Sequence, residues 1–225
     1  MKTQQELKED VAQAAIEELR RLPPAVVIGV GTGSTVDYLI EEIASNRLEL
    51  AGYVASSIRT EKKLQGLGLP VVSLDQLTEP MALYIDGADE IEPGLCMVKG
   101  GGAALTREKV VASAAHRFVC IVDESKIVSQ LGAFPLPIEV ITTALRPVSW
   151  ALEALGGRPT LREGVVTDSG QSILDVHGLQ IDDPLAWEDR LNTIPGIVCN
   201  GIFARQRAQL ALVAGQDGVR RLAVQ

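Results

Sequence analysis

The sequence of 225 residues predicts an α/β protein with two domains. Apolar runs at 25–30, 82–85 and 118–122 alternate with segments in which apolar residues recur at helical spacing, which is typical of a parallel sheet covered by helices. Beyond residue 132 the predicted element order becomes βαββαβ, which is the ferredoxin-like pattern. We therefore predict a Rossmann-like doubly wound sheet domain and a second, smaller ferredoxin-like α+β domain.

The domain boundaries are predicted from the change of pattern near Gly132, where the segment FPLP at 134–137 suggests a hinge. The small domain would comprise residues 132–204. The first domain would comprise residues 1–131 together with 205–225, because the last apolar run favours a return of the chain to the first sheet.

Apolar periodicity sets the predicted elements of the first domain. The chain begins with an amphipathic helix at 4–21, which Pro23 and Pro24 end. Further helices are predicted around 36–43, 60–67 and 103–115, and strands at 25–30, 52–55, 71–72, 82–85 and 118–122.

The small domain follows the same logic with shorter elements. Trp150 and Trp187 each fall on one of its predicted helices and are expected to be packing residues. Its predicted strands lie at 138–142, 159–162, 172–176 and 197–200, and its helices at 147–155 and 184–192.

A glycine loop follows the first predicted strand. Its sequence GTGST, Gly31 to Thr35, runs directly into a helix, so its N–H groups and hydroxyls could hold a phosphate at the helix N-terminus. The loop is neither a Walker A sequence nor GxGxxG, so it indicates a phosphate or sugar site without specifying a nucleotide. A tight turn with a Ser or Thr N-cap is the structural alternative.

The stretch from 83 to 109 concentrates the residues that could do chemistry. Asp86 is predicted at the carboxyl end of a buried strand, where open α/β sheets bind ligands, and Asp89 follows closely. Lys99 precedes three glycines, 100–102, whose backbone N–H groups can approach an oxyanion or phosphate because no Cβ blocks them.

Glu108 is predicted in an early turn of the helix that follows these glycines. The helix N-terminus favours an ionised carboxylate there, which suits a residue that accepts a proton. Taken singly, the Asp-Gly pair at 86–87 could be an ordinary turn and Glu108 an ordinary complement to the helix dipole. Their combination with a lysine and three glycines favours a catalytic site.

The composition bears on the partners and location of the protein. A formal net charge of -8 argues against nucleic acid or an anionic membrane as a partner. No apolar run approaches the ~20 residues of a membrane span. The N-terminal MKTQQELKED lacks the apolar segment of a signal peptide, so a cytoplasmic location is expected.

The cysteines and histidines give no sign of a metal centre. Cys96, Cys120 and Cys199 form no CxxC pair, so we expect three buried thiols and no disulfide framework or zinc site. His116 and His177 each lack a second histidine nearby in sequence, and we do not predict a catalytic role for either.

Ten short motifs spread over nearly the whole chain form a specific combination: VGTGST (30–35), SSxxTE (56–61), YIDGADEI (84–91), KGGGAALTREK (99–109), DESK (123–126), FPLPIEV (134–140), GGRP (156–159), GVVTDSG (164–170), ILDVHG (173–178) and IPGIVCNGIFA (194–204). This combination resembles the ribose-5-phosphate isomerase family, type A.

The resemblance implies an enzyme that interconverts D-ribose 5-phosphate and D-ribulose 5-phosphate in the non-oxidative pentose phosphate pathway. It implies no metal or organic cofactor, and a homodimer or homotetramer as the assembly. Glu108 is implied as the base that moves a proton between C2 and C1. The implied substrate contacts are Thr32, Gly33, Ser34, Thr35, Asp86, Gly87, Ala88, Asp89, Lys99, Gly100, Gly101, Gly102 and Lys126, with Lys8 a less secure match near the phosphate.

The chemistry of such an isomerisation suits these residue types. A reaction through an enediolate needs a base over the carbon acid, donors for the developing oxyanion, and acid or base help to open the furanose ring. Glu108 can supply the first, and Lys99 with the glycine N–H groups the second. Asp86 or Asp89 can supply the third, and the sequence leaves both open.

Two short segments depart from the pattern of the family. Arg205-Gln206-Arg207 stands where glycine and acidic residues are expected, and Ile58-Arg59 replaces smaller or acidic residues. Both lie outside the core motifs and concern rim contacts or the subunit interface.

Two other kinds of function are the alternatives. A related sugar-phosphate enzyme is one, but a deaminase would be expected to use an active-site histidine and a CoA transferase to lack KGGGAALTRE. A sugar-phosphate-binding sensor domain is the other, and it would need a basic helix-turn-helix segment that this acidic chain does not show. Retention of Glu108 and Lys99 favours the isomerase.

Overall fold

The computed structural model describes residues 1–223, and the chain divides into two compact units. The first unit comprises Met1–Gly87, Val110–Lys126 and the chain from Ala208 onward. The second comprises Ala88–Lys109 and Ile127–Arg207.

The described residues form six α-helices and thirteen strands. The helices are α1 (Gln4–Arg20), α2 (Ser34–Asn46), α3 (Ile58–Gly66), α4 (Leu105–Ser113), α5 (Leu145–Ala154) and α6 (Pro184–Asn192). The strands are β1 (Val27–Val30), β2 (Gly52–Ala55), β3 (Leu83–Asp86), β4 (Glu90–Ile91), β5 (Met97–Val98), β6 (Phe118–Asp123), β7 (Leu136–Val140), β8 (Arg158–Leu161), β9 (Ser172–His177), β10 (Ile197–Asn200), β11 (Ile202–Phe203), β12 (Leu210–Gly215) and β13 (Gly218–Ala223).

A six-stranded sheet in the order β13-β12-β6-β3-β1-β2 forms the first unit. Its strands are parallel except β13, which pairs antiparallel with β12. Side chains alternate across each strand, and Ile28 and Val30 of β1 pack into a core shared with α1 and α2. Gly29 faces the other way, where Val111 of α4 and Tyr84 lie close to it. Helices therefore cover both faces, as a doubly wound sheet requires.

The second unit contains a four-stranded antiparallel sheet in the order β10-β7-β9-β8. Along the chain its elements run β7, α5, β8, β9, α6, β10, which confirms the predicted ferredoxin-like pattern. Helices α5 and α6 contribute Val148, Leu152 and Leu191 to the core that covers one face of this sheet. A small sheet in the order β11-β5-β4 completes the unit.

Three local expectations were wrong. Val71 makes only an isolated bridge to Tyr53 instead of starting a strand, because the chain passes directly into a 3-10 helix at Leu74–Gln76. The predicted hinge at 134–137 ends inside a strand, since β7 begins at Leu136. Trp150 is 62% exposed on α5 and is not a packing residue, whereas Trp187 packs against the small-domain core.

The two compact units do not coincide with the two predicted domains. The predicted domain boundaries stay a prediction. Residues 88–109 fall in the second unit, because β4 and β5 within them join the small sheet with β11. Residues 127–131 and 205–207 also belong to the second unit.

One buried carboxylate ties together distant parts of the first unit. The Glu18 carboxylate on α1 is almost fully buried and pairs with Arg21 at 2.6 Å, Arg221 at 2.8 Å and Arg117 at 3.0 Å. Burial opposes ionisation of Glu18, but the hydrogen bond from Arg221 and the charges of the three arginines outweigh it. The pKa of Glu18 therefore lies below its ordinary value.

Replacing Glu18 with Gln keeps the shape of the side chain but leaves three guanidinium groups without their shared charge. We expect Glu18→Gln to lower the free energy of unfolding by about 2 kcal/mol near neutral pH. Because the folded-state pKa is depressed, this stabilisation is present above the unfolded-state pKa of about 4.3 and is lost as the pH falls through the folded-state value. Urea unfolding near neutral pH and near pH ~3 should show the difference between wild type and variant shrinking at the lower pH.

Glu17→Gln is the matched control, since Glu17 lies on the same helix and its pair with Arg20 is more than half exposed. This variant should change the free energy of unfolding by less than about 0.5 kcal/mol. Equal losses of unfolding free energy in the two variants would show that the Glu18 cluster contributes no more to stability than an exposed ion pair.

Candidate active site

The loop after β1 is built around the carboxylate of Asp86, which lies at the end of the neighbouring strand β3. A Cβ on Gly31 would stand 2.0 Å from the Cγ and Oδ1 atoms of Asp86, so only glycine fits at this position. The Thr32 N–H donates to Asp86 Oδ1 at 2.9 Å. Gly33 has φ of +132°, a conformation that favours glycine, and it leads directly into α2.

The Asp86 side chain is fixed by further donors in the first unit. The Tyr84 hydroxyl donates to Asp86 Oδ2 at 2.5 Å, and the Gly87 N–H donates to Oδ1 at 2.7 Å. Asp86 is fully buried, so these bonds set the orientation of its carboxylate.

Hydroxyl groups hold the same loop from the side of β2. Thr32 Oγ1 donates to Ser57 Oγ at 2.7 Å, Ser57 Oγ donates to Thr60 Oγ1 at 3.0 Å, and Thr60 Oγ1 donates to the Gly31 carbonyl at 2.7 Å. Ser56 Oγ lies 2.9 Å from Thr32 Oγ1. The Thr32 hydroxyl therefore helps to shape the loop. Ser56, Ser57 and Thr60 belong to one of the sequence motifs, but the sequence alone predicts no role for them.

Most of the remaining predicted residues of the first unit lie at element ends, whereas Lys8 lies within α1. Ser34 and Thr35 form the start of α2, whose first N–H groups have no partner within the helix. Lys126 ends a 3-10 helix that directly follows β6. Lys8 is half-buried on α1.

In the second unit, Asp89 organises the triple glycine. The Gly101 N–H donates to Asp89 Oδ2 at 2.8 Å, and a Cβ on Gly101 would lie 2.6 Å from Asp89 Oδ1. Gly100 has φ of +110°, and a Cβ there would press on Pro137 and Leu105 at 3.0 to 3.1 Å. Gly101 and Gly102 are exposed, so this loop offers backbone to a ligand.

Lys99 and Glu108 form a buried ion pair in the same unit. The Lys99 Nζ atom lies 3.3 Å from Glu108 Oε2, and both side chains are almost fully buried. The aromatic ring of Phe203 lies beneath Lys99, with its centroid 5.5 Å from Nζ. The lysine and the glutamate are predictable from the sequence, but Phe203 is not, since it is 104 positions further along the chain from Lys99.

Neighbouring side chains fix the first turn of α4, which carries Glu108. The Thr106 hydroxyl donates to Glu139 on β7, and Glu139 also accepts from Thr167 at 2.7 Å. Lys109 donates to Glu188 on α6 and to the Ile202 carbonyl, both at 2.6 Å. The turn that presents Glu108 is therefore held by β7 on one side and α6 on the other.

The segments that depart from the expected motifs lie at the surface. Arg205 forms a two-point pair with Asp189, and Arg207 donates to the Gly94 carbonyl at 3.3 Å. Ile58 is 42% exposed, and Arg59 pairs with Asp37.

Among residues 1–223, no group of three or more His, Cys, Asp or Glu side chains is arranged to hold a metal ion. The thiols of Cys120 and Cys199 are buried and that of Cys96 is half-buried. Burial raises the pKa of the Cys199 thiol, and burial together with Glu92 raises that of Cys96 to about 11. Both therefore keep their protons near neutral pH, as expected of packing residues.

None of the helices in the described part of the chain is long and apolar enough to cross a membrane.

The fold and these residues define an α/β protein with one glycine loop in each unit and, in the second unit, a buried pair of a carboxylate and a lysine. The sequence profile described as Ribose 5-phosphate isomerase A (phosphoriboisomerase A) matches residues 52–218. The chain therefore belongs to the ribose 5-phosphate isomerase A family.

Individual relatives agree with this assignment over nearly the full length. The chain is 56% identical to Ribose-5-phosphate isomerase A of Bordetella petrii over 223 residues, which cover 99% of each chain. It superposes on the crystal structure of ribose 5 phosphate isomerase A from Neisseria gonorrhoeae with a TM-score of 0.96 at 45% identity, covering 100% of this chain and 99% of the other. It also matches a D-ribose-5-phosphate isomerase in complex with phospho-erythronic acid, with a TM-score of 0.93 at 36% identity over 99% and 100% of the two chains.

The fit between Gly31 and Asp86 can be tested by adding one methyl group. We expect Gly31→Ala to lower the free energy of unfolding by about 2 to 3 kcal/mol, because the new Cβ forces the loop or the Asp86 carboxylate to move. Urea unfolding measures the change.

Gly66→Ala is the matched control, because nothing lies within 4 Å of a Cβ added at Gly66, the last residue of α3. This variant should raise the free energy of unfolding by about 0.5 kcal/mol, since alanine loses less chain entropy on folding. A Gly31→Ala variant as stable as the control would mean that the loop is not built around Asp86.

Proposed function

We propose that this protein is an aldose-ketose isomerase that interconverts D-ribose 5-phosphate and D-ribulose 5-phosphate through an enediolate, as a step of the non-oxidative pentose phosphate pathway. The observation that carries the proposal is the buried pair of Glu108 and Lys99 at 3.3 Å, close in sequence to an exposed glycine loop. A reaction of this kind needs a positioned base and a positive charge for the oxyanion. The names of the relatives support the same substrate.

Glu108 is proposed as the base. It takes the proton from C2 of the open-chain aldose, the C–H electron pair forms the C1=C2 double bond, and the carbonyl electrons move onto O1. Delivery of that proton to C1, with transfer of a proton from O2 to O1, leaves a ketone at C2 and an alcohol at C1. One carboxylate can serve both transfers because it stays protonated between them.

Lys99 and the glycine loop are proposed to stabilise the enediolate. The Lys99 ammonium is already desolvated, so little solvent has to be reorganised when negative charge develops beside it. Loss of a single oxyanion donor in comparable sites lowers kcat by about 10² to 10³. The Gly101 N–H already donates to Asp89, but the Gly102 N–H belongs to the same exposed loop and can add to this field.

The loop after β1 is proposed to bind the phosphate of the substrate. The loop from Thr32 to Thr35 enters α2 at its N-terminus, where N–H groups and the helix dipole favour a phosphate. Lys126 is proposed as a further substrate contact of the first unit, and the residues from Asp86 to Asp89 are proposed as contacts whose members belong to both units. Ring opening is assigned to Asp86 or Asp89, each of which accepts a hydrogen bond from a backbone N–H of its own unit.

No metal or organic cofactor is required by this mechanism. We also propose that the protein works in the cytoplasm as a homodimer or homotetramer. Three cysteines without a disulfide fit a reducing compartment. Large exposed apolar side chains such as Trp150 and Val166 fit a surface that another subunit covers. Light scattering after size-exclusion chromatography should give two or four times the mass of one chain, and a single-chain mass would refute the assembly.

The decisive test is turnover by purified protein in excess EDTA, with wild type and Glu108→Gln measured side by side. Glutamine keeps the shape of the side chain but cannot accept the proton, so kcat should fall by about 10³-fold while KM changes by less than about threefold. The production of ribulose 5-phosphate from D-ribose 5-phosphate is the measured quantity.

Glu153→Gln is the control, because Glu153 is exposed on α5 of the same unit. It should retain wild-type kinetics. A Glu108→Gln variant that keeps more than about a tenth of the wild-type kcat would remove Glu108 from the role of base. If the wild-type protein binds ribose 5-phosphate without converting it, the proposal of an isomerase is wrong, and a sensor or another sugar-phosphate enzyme becomes the better interpretation.

A further inference from the structure

Arg162 forms a two-point pair with Asp175, and the mechanism proposed above assigns no role to either residue. It directly follows β8, and its N–H donates to the Ile173 carbonyl on β9 at 2.9 Å. Its Nε donates to Asp175 Oδ2 at 2.8 Å and its Nη2 donates to Asp175 Oδ1. The guanidinium plane is therefore fixed by β9, and most of the side chain is buried.

The third nitrogen of this guanidinium contacts the triple-glycine loop. Arg162 Nη1 donates to the Gly100 carbonyl at 3.0 Å and to the Gly101 carbonyl at 3.1 Å. Two consecutive peptide groups thus turn their carbonyl oxygens toward a single nitrogen atom.

The direction of the carbonyls sets the direction of the N–H groups. In a trans peptide the N–H points opposite to the C=O, and none of the peptides in the described chain is cis. The N–H on the far side of the Gly100 carbonyl is that of Gly101, which donates to Asp89 Oδ2. The N–H on the far side of the Gly101 carbonyl is that of Gly102, and no hydrogen bond among residues 1–223 uses it.

We propose that Arg162, oriented by Asp175, is a positioning residue of the isomerase: it turns the glycine loop so that Gly101 holds Asp89 and Gly102 presents its N–H to an anionic oxygen of the reacting sugar. This inference rests on the proposed function. The positive charge on the carbonyl side also polarises both peptides, which strengthens their N–H groups as donors.

Arginine is required here for a geometric reason. Its planar fork makes the pair with Asp175 and leaves a third nitrogen for the carbonyls, whereas a lysine ammonium is a single point that cannot reach both sets of acceptors. The loop itself has two exposed glycines, and glycine loses more chain entropy than any other residue when its conformation is fixed. Hydrogen bonds from a residue outside the loop, here Arg162, can order such a loop before substrate binds.

The test compares Arg162→Lys with wild type. We expect kcat to fall by about 10- to 100-fold and KM to change by less than about threefold, because the misaimed N–H groups act on the developing oxyanion more than on the bound sugar. Phospho-erythronic acid is the second probe, since its carboxylate imitates the paired oxygens of the enediolate. Its dissociation constant, measured by calorimetry, should rise by about tenfold.

Arg205→Lys is the matched control. Arg205 makes the same two-point pair with an aspartate in the same unit, but its partner Asp189 is exposed and its side chain has no hydrogen bond to the glycine loop among the described residues. It should leave kcat and the affinity for phospho-erythronic acid unchanged. Asp175→Asn is a second variant that keeps the side-chain shape while weakening the fork, and it should lower kcat in the same direction by about threefold or more.

The outcomes separate the two proposals. If wild type isomerises the sugar and Arg162→Lys keeps a kcat within about threefold of it, the positioning role is wrong. A purely structural role would lower the urea midpoint of Arg162→Lys and leave the kcat of the folded fraction intact, which would also overturn it. If the wild type itself does not isomerise, the proposed function fails, while the affinity of wild type and variant for phospho-erythronic acid still decides whether Arg162 orients the loop. Should Arg162→Lys fail to fold, the same two measurements on Asp175→Asn decide.

Discussion

The buried ion pair of Lys99 and Glu108 is the interaction that the surrounding residues of the second unit have to stabilise. Removing two charges from water costs several kcal/mol for each ion, and their mutual attraction repays this only in good geometry. The pair is therefore tolerated because neighbouring groups fix both partners. The Gly201 carbonyl accepts from the Lys99 N–H at 2.9 Å, and the Phe203 ring lies under its ammonium.

The same logic explains the charged residues beside Glu108 on α4. Lys109 shares the Phe203 ring with Lys99, since its Nζ lies 4.8 Å from the ring centroid. Its partner Glu188 is almost fully buried and also accepts from the N–H groups of Ala204 and Arg205. The buried charge of Glu188 thus has an opposite charge and hydrogen bonds, which is the condition under which charged groups remain inside a protein. The buried pair of Lys99 and Glu108 therefore lies in a part of the unit where several further polar contacts are needed to keep charged side chains inside.

Much of the fold could be predicted from the sequence because local pattern determines it. The helices and most strands follow from apolar periodicity, and the order βαββαβ of the small sheet follows from the spacing of those elements. Asp86, the triple glycine, Lys99 and Glu108 could also be named as candidates, since their residue types in one short stretch suit one kind of chemistry. The limits appear where the local pattern is weak. Val71 belongs to an apolar pair that is too short to specify a strand, and the exposure of Trp150 depends on the rotation of α5 about its axis.

The supporting residues could not be predicted, because they are distant in sequence and carry no local signal. Arg162 lies 62 positions from Gly100, and the arginine is unremarkable within its own strand region. Only the antiparallel pairing of β8 with β9 brings it beside Asp175, and register is a property of the folded sheet. Residues that touch a ligand tend to be concentrated in motifs, whereas residues that orient them can come from any element that packs nearby. In this protein the glycine motif specifies a loop that can adopt many conformations, and hydrogen bonds to Asp89 and Arg162 hold it in the one that the structure shows.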